Sequence, residues 1–380
     1  MGNRTHWHPP RVGVLKPRPW LTSQLVDGDV EERVARAIEF QEGDRVPVWD
    51  VVDNRAIYDH LAPEAPDFLT ASVKVYHALG IDLVRATLNP PSPGRDGEFV
   101  RGGAGADADH VIQSGTSWRV NRRIQSIEDL RRFEPPPLPT REEIWENDIA
   151  SMRRRCEAFA PRSIHLQSIG VGFMTVMTGL LGLELASYAI YDAPEEVHRL
   201  LDAYTARSVL LAEALAEARL SPLVFVGEDV AYKGALMYSP AFLRKELIPR
   251  VRRVAEPLRR AGIKVIFHSD GNIMGILDDL IEAGIDGLNP IEPPAGMDIG
   301  YLKRRYHGKL ILVGNVDCTR IALGTPAGAV AMVKENLRVA SPGGGHLIGS
   351  STEVLPSTPV ENILAYYRAI HEYGRYPISV

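Results

Sequence analysis

The chain has two cysteines in 380 residues, Cys156 and Cys318, far apart and without a partner at metal-ligand spacing. A disulfide framework is therefore excluded, and the cytoplasm is the default location. No stretch approaches the roughly 18 apolar residues that a membrane-spanning helix needs. Residues 1–20 mix charge, proline and aromatics with no apolar centre, so no secretion signal is expected, and His6 stands where a myristoylation motif carries Ser or Thr. There is no excess of Lys and Arg: the net charge is −5 and the pI near 6.1, which gives nucleic acid no electrostatic footprint and favours small substrates. Neither a GxGxxG nor a GxxxxGK[ST] loop occurs, so nucleotide binding has no motif to rest on.

What is present is a composition of 45% hydrophobic and 24% charged residues, enough for a large core and too apolar for disorder. Continuous apolar runs at 45–50, 81–86, 163–168, 222–228, 264–269, 287–292, 309–315 and 345–349 alternate with amphipathic helical stretches. Runs that are apolar throughout belong to a parallel sheet covered by helices. Eight of them predict an α/β fold of the closed (β/α)8 TIM-barrel type, with an open doubly wound sheet as the runner-up. Residues 90–123 are Gly-rich and then alternate as HVIQSGTSWRV, which predicts an inserted β-hairpin. The division is an N-terminal arm over 1–28 and one barrel over 29–380. Helix openings are read at Thr140 with Glu143, at Asp192 with Pro194, at Ser239, at Thr325 and at Thr358, and Gly80 is read as a left-handed helix end.

In such a barrel the loops after the strands converge on one mouth and carry the chemistry. Those positions hold Asp50 and Asp53, Asp82, Gln167, Glu228 and Asp229, His268 and Asp270, Asn289 and Glu292, Asn315 and Asp317, then Ser350, Ser351 and Glu353. Each alone is well explained as a helix cap or turn former; polar groups at seven of eight junctions are harder to explain that way. His268-Ser269-Asp270 puts an imidazole and a carboxylate within reach of one site, and Glu228-Asp229 lies one strand away. Tyr232, just beyond, is a candidate for orienting a substrate, against the plainer reading of a solvated loop.

The segments YKGALMYSPAFLRKELIPRVRRV, KVIFHSDGNIMGILDDLIEAGIDGLNPIEPPAGMD, LILVGNVD, SPGGGHLIGSS and STPVENILAYYRAI resemble the uroporphyrinogen decarboxylase superfamily over roughly 222–370, with DRVPVWD and ALGIDLV adding support upstream. The resemblance implies a (β/α)8 barrel and one of two chemistries: cofactor-free decarboxylation, or zinc-dependent methyl transfer to or from corrinoid proteins or coenzyme M. True decarboxylases are similar to one another in a motif Met-Arg-Gln-Ala-Gly-Arg-Tyr that clamps substrate carboxylates. This chain has DVVDNRAIYDH there, with Arg55 alone. The methyltransferases carry His-x-Cys where this chain has His268-Ser269-Asp270, and a second Cys near the position of Thr352.

The expectation is therefore a methyltransferase-like enzyme. Its divalent metal, Zn²⁺ by analogy, is held by His268, Asp270 and Glu228, with Glu353 as a further candidate ligand. Catalytic roles fall on Glu228, Asp229, His268 and Asp82, and substrate contacts on Asp50, Asp53, Tyr232, Asn289, Asn315 and Glu353. Oxygen and nitrogen ligands without thiolates suit an oxygen-linked methyl donor better than a thiol. No corrinoid-binding segment is visible, so the corrinoid is expected on a separate protein. Superfamily members are often dimers, which allows a homodimer, though no segment identifies an interface. The alternative is a decarboxylase or lyase using Arg55 and Arg85 for carboxylates and Asp82 or Asp229 for a cationic intermediate. A non-catalytic ligand carrier is a third reading, which no feature of the sequence requires.

Overall fold

The computed structural model describes residues 30–85, 99–100, 109–113 and 116–380. Eight strands form one sheet in chain order: β1 (Trp49–Asp50), β2 (Leu83–Arg85), β3 (Ile164–Ile169), β4 (Leu223–Gly227), β5 (Lys264–His268), β6 (Gly287–Asn289), β7 (Ile311–Val316) and β8 (His346–Ser350). Every neighbouring pair is parallel. Parallel bridges from Val48 to Ile348 and from Val52 to Val354 join β1 to β8 and close the barrel. Each strand falls within or one residue beyond its predicted run, because a strand buried on both faces must be apolar along its whole length.

The interior is filled by Trp49, Leu83, Leu166, Phe225, Ile266, Val313 and Leu347, among others, with the Trp49 and Phe225 rings stacked at 5.8 Å. Two further apolar clusters lie between the strands and the surrounding helices. Helix α1 (Val30–Ile38) packs Val30, Val34, Ala37 and Ile38 against the barrel interior. It lies across the amino ends of the strands: Arg33 reaches Asp82 just before β2, Ala37 accepts from the Gly345 amide just before β8, and Glu39 pairs with Lys264 at the start of β5. The lower end of the barrel is thereby plugged.

The predicted hairpin is present as Asp109–Gln113 against Thr116–Val120, antiparallel, and Phe99–Val100 adds a third strand. The N-terminal arm lies outside the described residues. Thr140 and Glu143 form the expected capping box, Ser239 and Thr325 cap their helices, and Gly80 ends its helix at φ 79°. Two openings differ. The helix Pro194–Ala218 starts after Ala193 without a side-chain cap, and Val360–Tyr373 starts after Pro359, so Asp192 and Thr358 do not cap. Among the described residues, no helix is long and apolar enough to cross a membrane.

Candidate active site at the carboxyl mouth of the barrel

The register pairs Gly227 with His268, so β4 and β5 end side by side and deliver Asp229 and Asp270 to adjacent loops. Those loops are tied together. The Glu228 amide donates to His268 O at 2.9 Å, the Asp270 amide to Asp229 Oδ1 at 3.1 Å, and the Asn272 amide to Tyr232 O at 3.1 Å. Gly271 makes this approach feasible: it sits at φ +83°, and a Cβ there would lie 2.6 Å from the Ala231 carbonyl carbon and the Tyr232 nitrogen. The Gly271 amide also donates to Glu292 Oε2 at 2.7 Å, which ties in the loop after β6.

The tautomer of His268 follows from its neighbours. Asn289 Nδ2 donates to Val313 O at 3.2 Å, so its Oδ1 is the atom facing His268 Nδ1, at 2.5 Å. Nδ1 therefore carries the hydrogen, and the lone pair sits on Nε2. That atom lies 3.7 Å from Asp229 Oδ1 and 4.0 Å from Asp270 Oδ1. Asp229, His268 and Asp270 each offer a ligand atom, all within 4.8 Å of one another. Asp270 Oδ1 is buried and has no hydrogen-bond partner, an expensive state for a carboxylate oxygen unless a cation or donor meets it.

Arg85, the last residue of β2, enters the same space. Its Nη1 lies 3.0 Å from His268 Nδ1 and 3.4 Å from Nε2, and with Nδ1–H committed to Asn289 it donates to Nε2. Its guanidinium lies over the Phe225 ring at 5.1 Å. Burial, with Arg85 beside it, pushes the His268 imidazole down to about 3, so it is neutral at pH 7 as a metal ligand must be. Burial and the neighbouring Asp229 and Glu292 push the Asp270 carboxyl up to about 7. Burial also raises Asp53, and Glu353 is raised by burial and by its proximity to Asp53 and Asp50. Among the described residues, the mouth thus gathers these carboxylates around the Arg85 guanidinium.

Several expected site residues lie elsewhere. Glu228 neighbours the cluster in sequence but faces the loop after β3. Its Oε1 accepts from the amides of Val171 (2.5 Å) and Gly172 (3.0 Å), and its Oε2 from that of Met174 (2.5 Å). Both oxygens are spent, so Asp229, and not Glu228, shares the cluster with His268 and Asp270. Burial pushes the Glu228 carboxyl up to about 7, against the pull of the three amides. Asp82 precedes β2 and so belongs to the plugged end: it is fully buried and binds Arg33 Nη1 at 2.8 Å and Arg45 Nη1 at 2.6 Å. Asp50 is enclosed by Ser350 Oγ (2.6 Å), Tyr367 Oη (2.9 Å) and Tyr366 Oη (3.2 Å), which seals the β1–β8 seam. Asn315 donates to Ile291 O and accepts from Asn336 Nδ2, so it points outward between barrel and helix. Asn289 orients His268 and is fully buried. Gln167 is spent on Cys156 Sγ and His165 O, and Asp317 caps the next helix. Tyr232 is exposed on the rim. Arg55 is exposed and paired with Asp59, so of the two arginines expected to bind carboxylates only Arg85 reaches the cluster.

This geometry can be set beside known proteins. The chain is similar to a methyltransferase from Methanosarcina mazei, with a TM-score of 0.66 over 91% of this chain and 99% of that one at 19% identity, a likeness of fold. It is 27% identical over 173 residues to the methylcobamide:CoM methyltransferase MtaA of Methanosarcina barkeri, covering 46% of this chain and 48% of that protein. It is 32% identical over 180 residues to a uroporphyrinogen decarboxylase of Thermus thermophilus, covering 46% and 48%. The chain spans about half the length of the curated relatives it matches. The family model for uroporphyrinogen decarboxylase (URO-D) matches residues 108–373, which takes in strands β3 to β8 and the helices between them. On that match, which runs over more than half of its length and through the whole Asp229–His268–Asp270 cluster, the chain belongs to the uroporphyrinogen decarboxylase family.

Proposed function

We propose that this protein is a methyltransferase that takes a methyl group from a small, oxygen-linked donor and passes it to a corrinoid carried by a separate protein, with a divalent metal ion at Asp229, His268 and Asp270. The observation that carries this reading is the neutral imidazole whose Nε2 lone pair faces two carboxylates, one with a buried, unpartnered oxygen. The donor set fits such an ion: one nitrogen and two carboxylate oxygens suit Zn²⁺ or a harder cation, with coordination positions left for a substrate. When bound, the ion supplies Lewis acidity toward the ether or alcohol oxygen of the donor.

The residues of the chain prepare that chemistry. Asn289 fixes the imidazole tautomer, and the amide of Asp270 holds Asp229 in place. Arg85 offsets part of the negative charge while the donor is absent. Tyr232, Asp53 and Glu353 stand at the rim as candidate substrate contacts. The relatives named as methyltransferases support this reading. Decarboxylases of the family match about as well; that reading asks for Arg55 and Arg85 and for Asp82 or Asp229, of which Arg55 lies on the surface and Asp82 at the plugged end, while Arg85 and Asp229 reach the cluster. We place the protein in the cytoplasm as one barrel over 29–380 with an arm over 1–28, and leave a homodimer open as its assembly.

The test is elemental analysis of protein purified without added metal, alongside His268→Ala and Asp270→Ala. Near-stoichiometric metal in the wild type, lost in both variants, is expected. The same preparations, supplied with free cob(I)alamin and methanol or a methyl aryl ether, should convert the cobalamin spectrum to the methylated form only when metal is present. A metal-free wild type that stays active with chelator present overturns the reading.

A further inference from the structure

The eight barrel strands are sealed almost everywhere. Of their residues Ser168 alone is exposed, and only Arg85, Gly227 and, at the amino end, Lys264 are half-buried. Ser168 lies two residues beyond Leu166, which packs in the barrel interior, so its side chain also faces inward and its exposure is to the mouth. Arg85, Ser168 and Gly227 belong to the adjacent strands β2, β3 and β4. Water therefore reaches one stretch of wall, three strands wide. Neighbouring strands lie about 4.8 Å apart, so the stretch is about 10 Å across, the breadth of a substituted benzene ring and well beyond what a one-carbon alcohol covers.

Gly227 supplies the flat part of this wall. Its φ is not positive, and a Cβ there would meet Arg85 Nη2 at 3.8 Å and His268 Cδ2 at 3.9 Å, both ordinary contacts. Neither backbone nor packing asks for a glycine, which weakens a strand; the close approach of a ligand does. The polar part comes from Ser168 Oγ and Arg85 Nη2, which have no hydrogen-bond partner among the described residues. A guanidinium only donates, whereas a hydroxyl donates or accepts. A neutral hydroxyl on a ligand satisfies both, accepting from Arg85 and donating to Ser168. A carboxylate in its place would stand with Asp229, Asp270 and Glu353, whose charges already act on Arg85.

We propose that this wall seats a methoxyphenol as the methyl donor: the ring lies on the Gly227 backbone, the free hydroxyl meets Ser168 and Arg85, and the ether oxygen turns toward His268. Arg85 Nη1 stands 3.4 Å from His268 Nε2, so the two oxygens are neighbours on the ring. Ser168 positions the donor and takes no part in the transfer. The role of the ether rests on the methyl-transfer reading; the seat of the ring does not.

Titration calorimetry of the full chain as purified, without cobalamin, tests it with 2-methoxyphenol, methoxybenzene, 2-methoxybenzoate and methanol. 2-Methoxyphenol is expected to bind at one saturable site, methoxybenzene and 2-methoxybenzoate at least about tenfold more weakly, and methanol to give no heat up to about 10 mM. Ser168→Ala should weaken 2-methoxyphenol about three- to tenfold, the worth of one hydrogen bond, and leave methoxybenzene unchanged. Gly227→Ala adds a methyl group that the fold accommodates, so the melting temperature should hold while both ring compounds bind more weakly. Equal losses of phenol and ether in Ser168→Ala, unchanged ring binding in Gly227→Ala, a preference for the carboxylate, or no ring binding up to about 10 mM each overturns the proposal. Ring binding with no methyl transfer to cob(I)alamin would overturn the reaction and leave the seat standing; transfer from methanol with no ring binding would do the reverse.

Discussion

Asn289 accepts the Nδ1 hydrogen of His268 at 2.5 Å while its own amide group is held by Val313 O at 3.2 Å. The pair is a single device: the backbone of β7 orients Asn289, and Asn289 orients the imidazole. Asn289→Leu frees the ring to turn and to change tautomer. Zinc affinity, measured by competition with a chromophoric chelator, should fall about 10- to 100-fold, the usual cost of losing the partner behind a ligand. Stability should fall by about 1–3 kcal/mol through the unpaired Val313 carbonyl. Unchanged affinity would mean that His268 is held by something else.

Arg85 stands where it would compete with a metal ion for the Nε2 lone pair of His268. Removing the guanidinium with Arg85→Met should therefore tighten divalent-metal binding, by about tenfold or more, since a unit charge about 4 Å away is worth several kcal/mol at an effective dielectric of about 20. Weaker binding in the variant would show that Arg85 assists the ion and does not exclude it. Arg55→Ala, by contrast, removes an exposed pair with Asp59 and should change stability by less than about 0.5 kcal/mol and activity not at all.

Burial alone would raise the Asp82 carboxyl, but Arg45 and Arg33 more than offset it and hold it well below the usual carboxylate range. A depressed folded-state value means stability that is complete above the unfolded value of about 3.9 and is lost as the pH falls below it. Asp82→Asn should cost about 3–5 kcal/mol at pH 7, because two buried guanidinium groups lose their partner. It should also flatten the acid limb of thermal unfolding between about pH 4 and pH 2. An equally steep acid limb in the variant would assign it to other carboxylates.

Gly271→Ala places a methyl group 2.6 Å from the backbone of Ala231 and Tyr232 at a φ of +83°. The loops bearing Asp229 and Asp270 must part, so metal affinity should drop and the melting temperature should fall by the equivalent of more than about 1 kcal/mol. A variant with normal metal content would show that the two loops need not touch.

The strands were legible because burial on both faces leaves an apolar run that needs no period to be seen; β4, β5 and β7 could be placed almost residue by residue. The direction of a side chain at a strand end was not legible. Glu228 and Asp229 are adjacent, and which of them faces the mouth depends on how β4 is staggered against β5, a relation between two distant segments. Asp82 illustrates the same difficulty at the other end of a strand. It is the second residue of the run 81–86 and precedes Leu83, and its partners come from distant segments, Arg33 from a helix read only as a lead-in and Arg45 from the start of the run 45–50. Asn315 reads as a site residue by position, yet its contacts with Ile291 and Asn336 turn it outward. His268 and Asp270 were legible because two residues on one short segment must share a neighbourhood whatever the stagger.

The helix that plugs the lower end has a consequence for traffic. Val30 begins there, and the other end of the described chain returns to the same side, where Val46 donates to Gly374 O, Arg45 bridges Arg375 and Tyr376 donates to Asp44 O. Among the described residues, Val30 and Tyr376 thus lie on the face opposite the cluster, and the amino ends of the strands are stitched shut there, so a small molecule that reaches the cluster enters by the rim.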